Sequence, residues 1–181
     1  FNSEEGKSVG LSYFKNRDLR EHIIQQFQLG YGPDSWDAFT QYAISQGYKL
    51  KYLVKSGLTI ERNGKYFDRF SARVIFPIHN LSGRVIGFGG RILKKEEKKA
   101  KYINSPESEI YNKSQVLYGI YFAKSAIIKK DNCYLVEGYT DVTSLFQAGF
   151  ENVVASSGTS LTTDQIRLIK RYTPNITILY D

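Results

Sequence analysis

Two helical returns between short apolar runs in the last third of this sequence limit its fold more than any other feature. Cys133-Tyr134-Leu135-Val136, Asn152-Val153-Val154-Ala155 and Ile176-Thr177-Ile178-Leu179-Tyr180 have the length and residue types of strands. Helix-like stretches separate them, one from about 141 to 148 stopped by Gly149, one from Thr162 to about Tyr172 with Pro174 beyond. Thr162 and Gln165 have capping-box spacing, and glycine is a common helix terminator. A β-α-β-α-β order cannot be built from hairpins, so it implies a parallel sheet with right-handed crossovers. An apolar helix over about 120–128 leads into it.

The chain ahead of this unit has a different pattern. Up to about residue 57 it reads as short helices. Leu19, Ile23, Ile24 and Phe27 recur at helical spacing, with Asp18 as N-cap. A break at Leu29-Gly30-Tyr31-Gly32-Pro33 precedes a second helix, capped by Asp34 or Ser35, that carries Trp36, Phe39, Tyr42 and Ala43 to near Gly47. A third runs over about 50–56 and stops at Gly57. Antiparallel strands follow. Asn63-Gly64 and Ser82-Gly83 mark two hairpins, and Pro77 inside a strand points to an edge or a bulge. Residues 94–99 read as a charged, solvated loop. The expected architecture is an α+β amino-terminal subdomain (1–119) followed by a partial α/β unit with a Rossmann-like parallel sheet (120–181).

Charge narrows the partners. Lysine and arginine exceed aspartate and glutamate by a net +7, with pI about 9.3. This balance favours a polyanion, nucleic acid before a membrane surface. The single cysteine, Cys133, lies in an apolar run, which excludes an internal disulfide and suits a core position in a reducing cytoplasm. No apolar run is long enough to span a bilayer. The chain starts at Phe1, contains no methionine and stops at Asp181 directly after a strand, so it is expected to be a piece of a longer protein.

Ligands in open parallel sheets bind beyond the carboxyl ends of the strands. Glu137 follows the first strand and Asp181 the third. If those strands are neighbours, two hard oxygen donors meet at one edge and suit Mg²⁺. Gly138 would let the backbone turn sharply. Asp141 sits at the head of the next helix, as a cap or as a catalytic acid. Ala155-Ser156-Ser157-Gly158-Thr159 is either a tight strand-to-helix turn or a phosphate contact through backbone amides. The segment Gly83-Arg84-Val85-Ile86-Gly87-Phe88-Gly89-Gly90-Arg91 carries four glycines in a strand-like pattern, which signals close approach of another backbone or a ligand. Arg91 suits phosphate, and Lys101-Tyr102-Ile103-Asn104 mixes a cation, an aromatic and an amide as single-strand binding loops do. His22 and His79 have no acidic partner at metal spacing.

Glu137-Gly138-Tyr139-Thr140-Asp141-Val142 resembles the first motif of TOPRIM domains. The segments Arg73-Val-Ile-Phe-Pro-Ile78, Gly83 to Arg91, Lys101-Tyr-Ile-Asn-Ser-Pro-Glu107, Lys113 and Leu117-Tyr-Gly119 resemble the basic subdomain of the bacterial (DnaG-type) DNA primase core. The resemblance runs from about Val9 to the end. It implies synthesis of short RNA primers on single-stranded DNA from ribonucleoside triphosphates, with Mg²⁺ or Mn²⁺ as cofactor. It implies Glu137 as the catalytic acid or metal ligand and Asp181 as the first aspartate of an Asp-x-Asp metal motif. Arg91, Lys101, Lys113, Asn104, Arg17 and Arg73 would contact template or nucleotide, supported by Gly138, Asp141 and Gly158. Zinc is expected only in a separate amino-terminal domain, and the replicative helicase would engage a carboxy-terminal domain; a monomeric bacterial cytoplasmic protein is expected. The alternatives are a nucleic-acid-binding module without turnover, or another TOPRIM enzyme, a topoisomerase or nuclease. Since the second metal-motif aspartate lies beyond Asp181, the 181-residue chain incubated with template, nucleotides and Mg²⁺ or Mn²⁺ is expected to yield little or no primer; full primer yield would contradict this.

Overall fold

The computed structural model of the protein describes residues 1–93, 100–158 and 160–180. A π-helical turn at Gly6–Leu11 runs into α1 (Ser12–Lys15), followed by α2 (Glu21–Gln26), β1 (Gly30–Gly32), α3 (Ala38–Ser45) and α4 (Leu50–Lys55). The hairpin of β2 (Thr59–Arg62) and β3 (Lys65–Asp68) precedes β4 (Arg73–His79), β5 (Val85–Ile92) and β6 (Tyr102–Asn104). Strands β1, β4, β5 and β6 form one antiparallel sheet in that order. Then come α5 (Ile120–Lys130), β7 (Cys133–Val136), α6 (Tyr139–Gln147), β8 (Val153–Ala155), α7 (Thr163–Lys170) and β9 (Ile176–Ile178). Strand β7 is central in a parallel sheet, between β8 and β9. The expected α+β part and parallel α/β part are both present. The charged loop expected at 94–99 lies outside the described residues.

Local chemistry explains most boundaries. Asn63 and Gly64 both have positive φ (51° and 71°), the conformation of a two-residue hairpin turn. Helix α7 carries the expected reciprocal cap: Gln165 N–H donates to Thr162 Oγ1 (3.2 Å) and Thr162 N–H to Gln165 Oε1 (3.1 Å). Pro77 fits its strand because β1 reaches only as far as Ile75 and the β4–β5 register shifts just after it, between Ile78 and His79.

Three local expectations are corrected. Asp18 is not an N-cap; it has φ 58° in the turn that follows α1, and α2 starts at Glu21. Neither Asp34 nor Ser35 caps α3, which starts later, so Trp36 lies outside the helix. The cap comes from β3 instead. The Asp68 carboxylate accepts Phe39 N–H (2.7 Å), Thr40 N–H (2.9 Å) and the Thr40 hydroxyl (2.6 Å), ligands 28 or 29 residues away that no local pattern could reveal. Helix α6 starts at Tyr139, two residues before the expected Asp141, because Gly138 already takes the cap position.

The two parts share a core. Phe14, Ile24, Phe27, Val74 and Phe76 from the first pack in one cluster with Val136, Tyr139, Val142 and Val153 from the second. Phe27 is fully buried against the rings of Phe122 (centroids 4.4 Å) and Phe146 (5.1 Å). A second cluster, including Ile127, Cys133, Leu135, Val154 and Ile169, lies within the parallel unit. Burial pushes the Cys133 thiol up to about 12, as expected for a core thiol and not a reactive one.

The strand glycines admit aromatic rings. A Cβ on Gly89 would lie 2.3 Å from Cζ of Tyr139, and one on Gly90 2.5 Å from the Phe70 ring. Gly89→Ala is therefore expected to destabilise the protein by about 1–3 kcal/mol, the usual range for an overpacked core. Urea unfolding measures this, and wild-type stability would show that Tyr139 does not need the space.

Candidate functional site

The parallel sheet sets the acidic edge. Strands β7 and β9 are neighbours, with Leu135 opposite Ile178 and Leu179 N–H donating to Leu135 O at 2.9 Å. Glu137 follows β7 at the carboxyl edge, exposed and without an ion-pair partner among the described residues. Asp181 lies outside the described residues; Tyr180, the residue before it, lines the cleft described below. Asp141 Oδ2 accepts the Gly138 N–H at 2.9 Å, so this carboxylate caps α6. The sharp turn expected at Gly138 is not in its own backbone, which is extended (φ −123°), a conformation open to any residue.

The turn after β8 is held from two directions. Ser157 and Gly158 both have positive φ (59° and 85°). Ser157 N–H donates to the backbone oxygen of Glu137 at 3.1 Å, so this amide serves the turn and not a phosphate. Ser157 O accepts from Asn104 Nδ2 at 3.0 Å. Thr159 lies outside the described residues.

Asn104 also joins the first helix of the motif. Its Oδ1 accepts the Tyr139 hydroxyl at 2.6 Å. The Tyr139 ring stacks on Phe76 (5.1 Å, 14°) and meets Tyr118 edge-on (4.7 Å). Burial, with Tyr111 nearby, holds the Tyr139 phenol far above its ordinary value, which leaves it a permanent donor.

The basic residues form a neighbouring cluster. The Arg91 guanidinium donates to the Tyr13 hydroxyl and lies over the Tyr13 and Tyr102 rings (5.2 and 5.7 Å). Arg17 lies 5.3 Å from the Tyr13 ring centre. Burial raises the Tyr13 phenol although Arg91 and Arg17 pull it down. Lys101 is exposed just ahead of β6. Arg73 is placed inside: it is 5% exposed and donates to the carbonyls of Gly90 (3.2 Å), Lys101 (3.3 Å) and Ala100 (3.1 Å), which braces the backbone beside Lys101.

A cleft of about 850 Å³ brings the two walls together. Asn104, Lys113, Glu137, Gly138, Asp141 and Gly158 line it, with Arg69 and Tyr102 beside them. Arg17, Arg73, Arg91 and Lys101 are not in its lining; Arg91 adjoins it through Tyr102. A smaller cavity of about 370 Å³, between the β4–β5 turn and α7, contains no expected site residue. Sequence reasoning missed Tyr13 and Arg69. Neither carries a signal, since one lies in a short helical turn and the other in a loop, and only folding brings them to the basic wall.

The donors at the acidic edge fit a hard divalent cation with few protein ligands. Glu137 is an open oxygen donor, and Mg²⁺ typically takes one or two carboxylates plus water and phosphate. Among the described residues no three His, Cys, Asp or Glu side chains gather into a fuller cage.

Comparison with known proteins covers nearly the whole chain. The family described as DNA primase catalytic core, N-terminal domain, matches residues 1–124. Residues 134–181 match the Toprim-like family, a divalent-metal-binding group. A DNA primase of Clostridium acetobutylicum is 43% identical over 181 residues, covering 100% of this chain and 30% of that protein. The RNA polymerase domain of a Mycobacterium tuberculosis primase superposes with a TM-score of 0.90 at 31% identity, over 99% of this chain and 60% of that one. A primase catalytic domain bound to single-stranded DNA superposes with a TM-score of 0.84 at 37% identity, over 97% of this chain and 56% of that one. The chain thus spans under a third of the length of this curated relative.

Proposed function

This chain belongs to the DNA primase catalytic-core family, and we propose that it supplies the cleft in which a longer protein copies single-stranded DNA into short RNA primers. The observation that carries this reading is one cleft with Glu137 on its acidic wall and Lys113 and Tyr102 on the other.

Lys113, Lys101, Arg91 and Arg17 would hold phosphates of template or incoming nucleoside triphosphate. Arginine suits this through its planar fork and lysine as a point charge. Tyr102 offers a ring for a base, since aromatic stacking serves single strands without regard to sequence. Arg73 supports this wall from within. Glu137 would act as the acid–base group or metal ligand, with Asp181 as its metal-binding companion. A bound Mg²⁺ or Mn²⁺ would supply charge neutralisation at the phosphates. Asp141, Gly138 and Gly158 shape the edge. A zinc domain and a helicase-binding domain would belong to other parts of the protein, which would act as a monomer in the cytoplasm. The described residues contain no helix long and apolar enough to cross a membrane.

Single-stranded DNA binding without metal tests the division of labour. Arg91→Ala and Lys101→Ala are each expected to weaken binding and lower the salt slope by about 1, one phosphate contact each. Glu137→Ala is expected to bind as wild type does, yet to lower primer synthesis by the full-length protein about 10²-fold or more. Equal loss of metal-free DNA binding in all three variants would contradict the two-wall reading.

A further inference from the structure

Asn104 lines the cleft beside Lys113, where an amide is expected to meet nucleotide or template. Its bonds point elsewhere. Oδ1 accepts the Tyr139 hydroxyl (2.6 Å) and Nδ2 donates to Ser157 O (3.0 Å). Both ends of the amide are thus engaged by the parallel unit, while its backbone belongs to β6, paired with Gly89 of β5.

The two partners flank Glu137. Tyr139 is two residues after it, at the first turn of α6. Ser157 is bonded to it directly, through Ser157 N–H and Glu137 O (3.1 Å). Asn104 therefore grips the Glu137 backbone from both sides, by way of α6 and by way of the β8 turn. Ser157 adopts φ 59°, which a non-glycine residue keeps only when its surroundings impose it. The bond from Asn104 to its carbonyl is part of that imposition. Gly89 contributes the space: without a Cβ, β5 lets the Tyr139 ring come close enough for its hydroxyl to reach Asn104.

We infer that Asn104 is a positioning residue, which fixes the Glu137 backbone, and with it the root of the carboxylate side chain, relative to the basic wall. The role deepens the primase reading above and rests on it for its catalytic consequence. Its structural consequence stands independently. An asparagine is required because one side chain must accept from a phenol and donate to a carbonyl at the same time; aspartate cannot donate, and alanine can do neither.

The test uses Asn104→Ala, Asn104→Asp, Tyr139→Phe and the Asn104→Ala/Tyr139→Phe double variant. In the full-length protein, Asn104→Ala is expected to lower kcat for primer synthesis at least tenfold. KM for nucleotide and the metal-free affinity for single-stranded DNA should stay within about threefold, since precise placement affects turnover more than ground-state binding. Asn104→Asp keeps the shape but repeats the loss. Tyr139→Phe should lose less, and the double variant should be no worse than Asn104→Ala, because both act through one contact. A tenfold loss of DNA affinity with kcat intact, or additive losses in the double variant, would overturn the inference. Hydrogen exchange provides the arm independent of function: the Ser157 amide should exchange at least tenfold faster in Asn104→Ala. If the unaltered full-length protein makes no primer, the primase reading fails and this exchange result alone decides, with unchanged exchange counting against the positioning role.

Discussion

The arrangement of the molecule depends on the seat of one ring. Tyr139 lies over Gly89 of the antiparallel sheet, stacked on Phe76, edge-on to Tyr118 and tied by its hydroxyl to Asn104. The apolar contacts provide most of the stabilisation, since burying a large aromatic contributes about 1.5–3 kcal/mol. The hydrogen bond sets the geometry. Because Tyr139 opens α6 and stands two residues from Glu137, whatever holds the ring also holds the acidic edge. The sheet that seats it also carries Tyr102 and Asn104 of the cleft lining and Arg91 beside them, so both walls of the cleft are referred to the same strands.

This explains why the cleft keeps its charges apart. The Glu137 carboxylate remains without an ion-pair partner among the described residues, although basic groups are close by in the fold. Among the described residues Arg91 is held by Tyr13 and Tyr102 and has no carboxylate partner. Asp141 is engaged in capping and Asp68 caps α3. Among the described residues these two carboxylates thus serve helix caps and do not pair with the basic cluster.

Much of this was legible in the sequence, for physical reasons. The parallel unit announced itself because its strands are short apolar runs, buried in β7 and β8 though largely exposed in β9, and α7 between two of them carries the local cap of Thr162 and Gln165. The Asn63-Gly64 turn was legible because its backbone conformation selects those residues. The acidic edge followed from Glu137 lying at a strand end, and family motifs supplied the basic segment. What failed was whatever is decided at long range. Asp68 capping α3 is such a case, as are Arg73 turning inward and Tyr13 joining the basic cluster. The glycines of β5 pointed to close approach of a backbone or a ligand, whereas the groups that approach them are the rings of Tyr111, Tyr139 and Phe70. Asn104 was recognised from the mixed segment around it, which folds as β6 and not as the expected loop, whereas its bonding pattern became visible only with Tyr139 and Ser157 in place.

If the Tyr139 seat makes the two parts one cooperative unit, they must unfold together. The chain contains a built-in reporter in each. Trp36, the only tryptophan, packs on Phe67 (5.4 Å) in the amino-terminal part, and Cys133, the only cysteine, is buried in the parallel sheet. Urea unfolding followed by Trp36 fluorescence and by Cys133 thiol accessibility should give coincident transitions, the mark of two-state behaviour. Exposure of Cys133 at urea concentrations where Trp36 still reports the native environment would contradict the account.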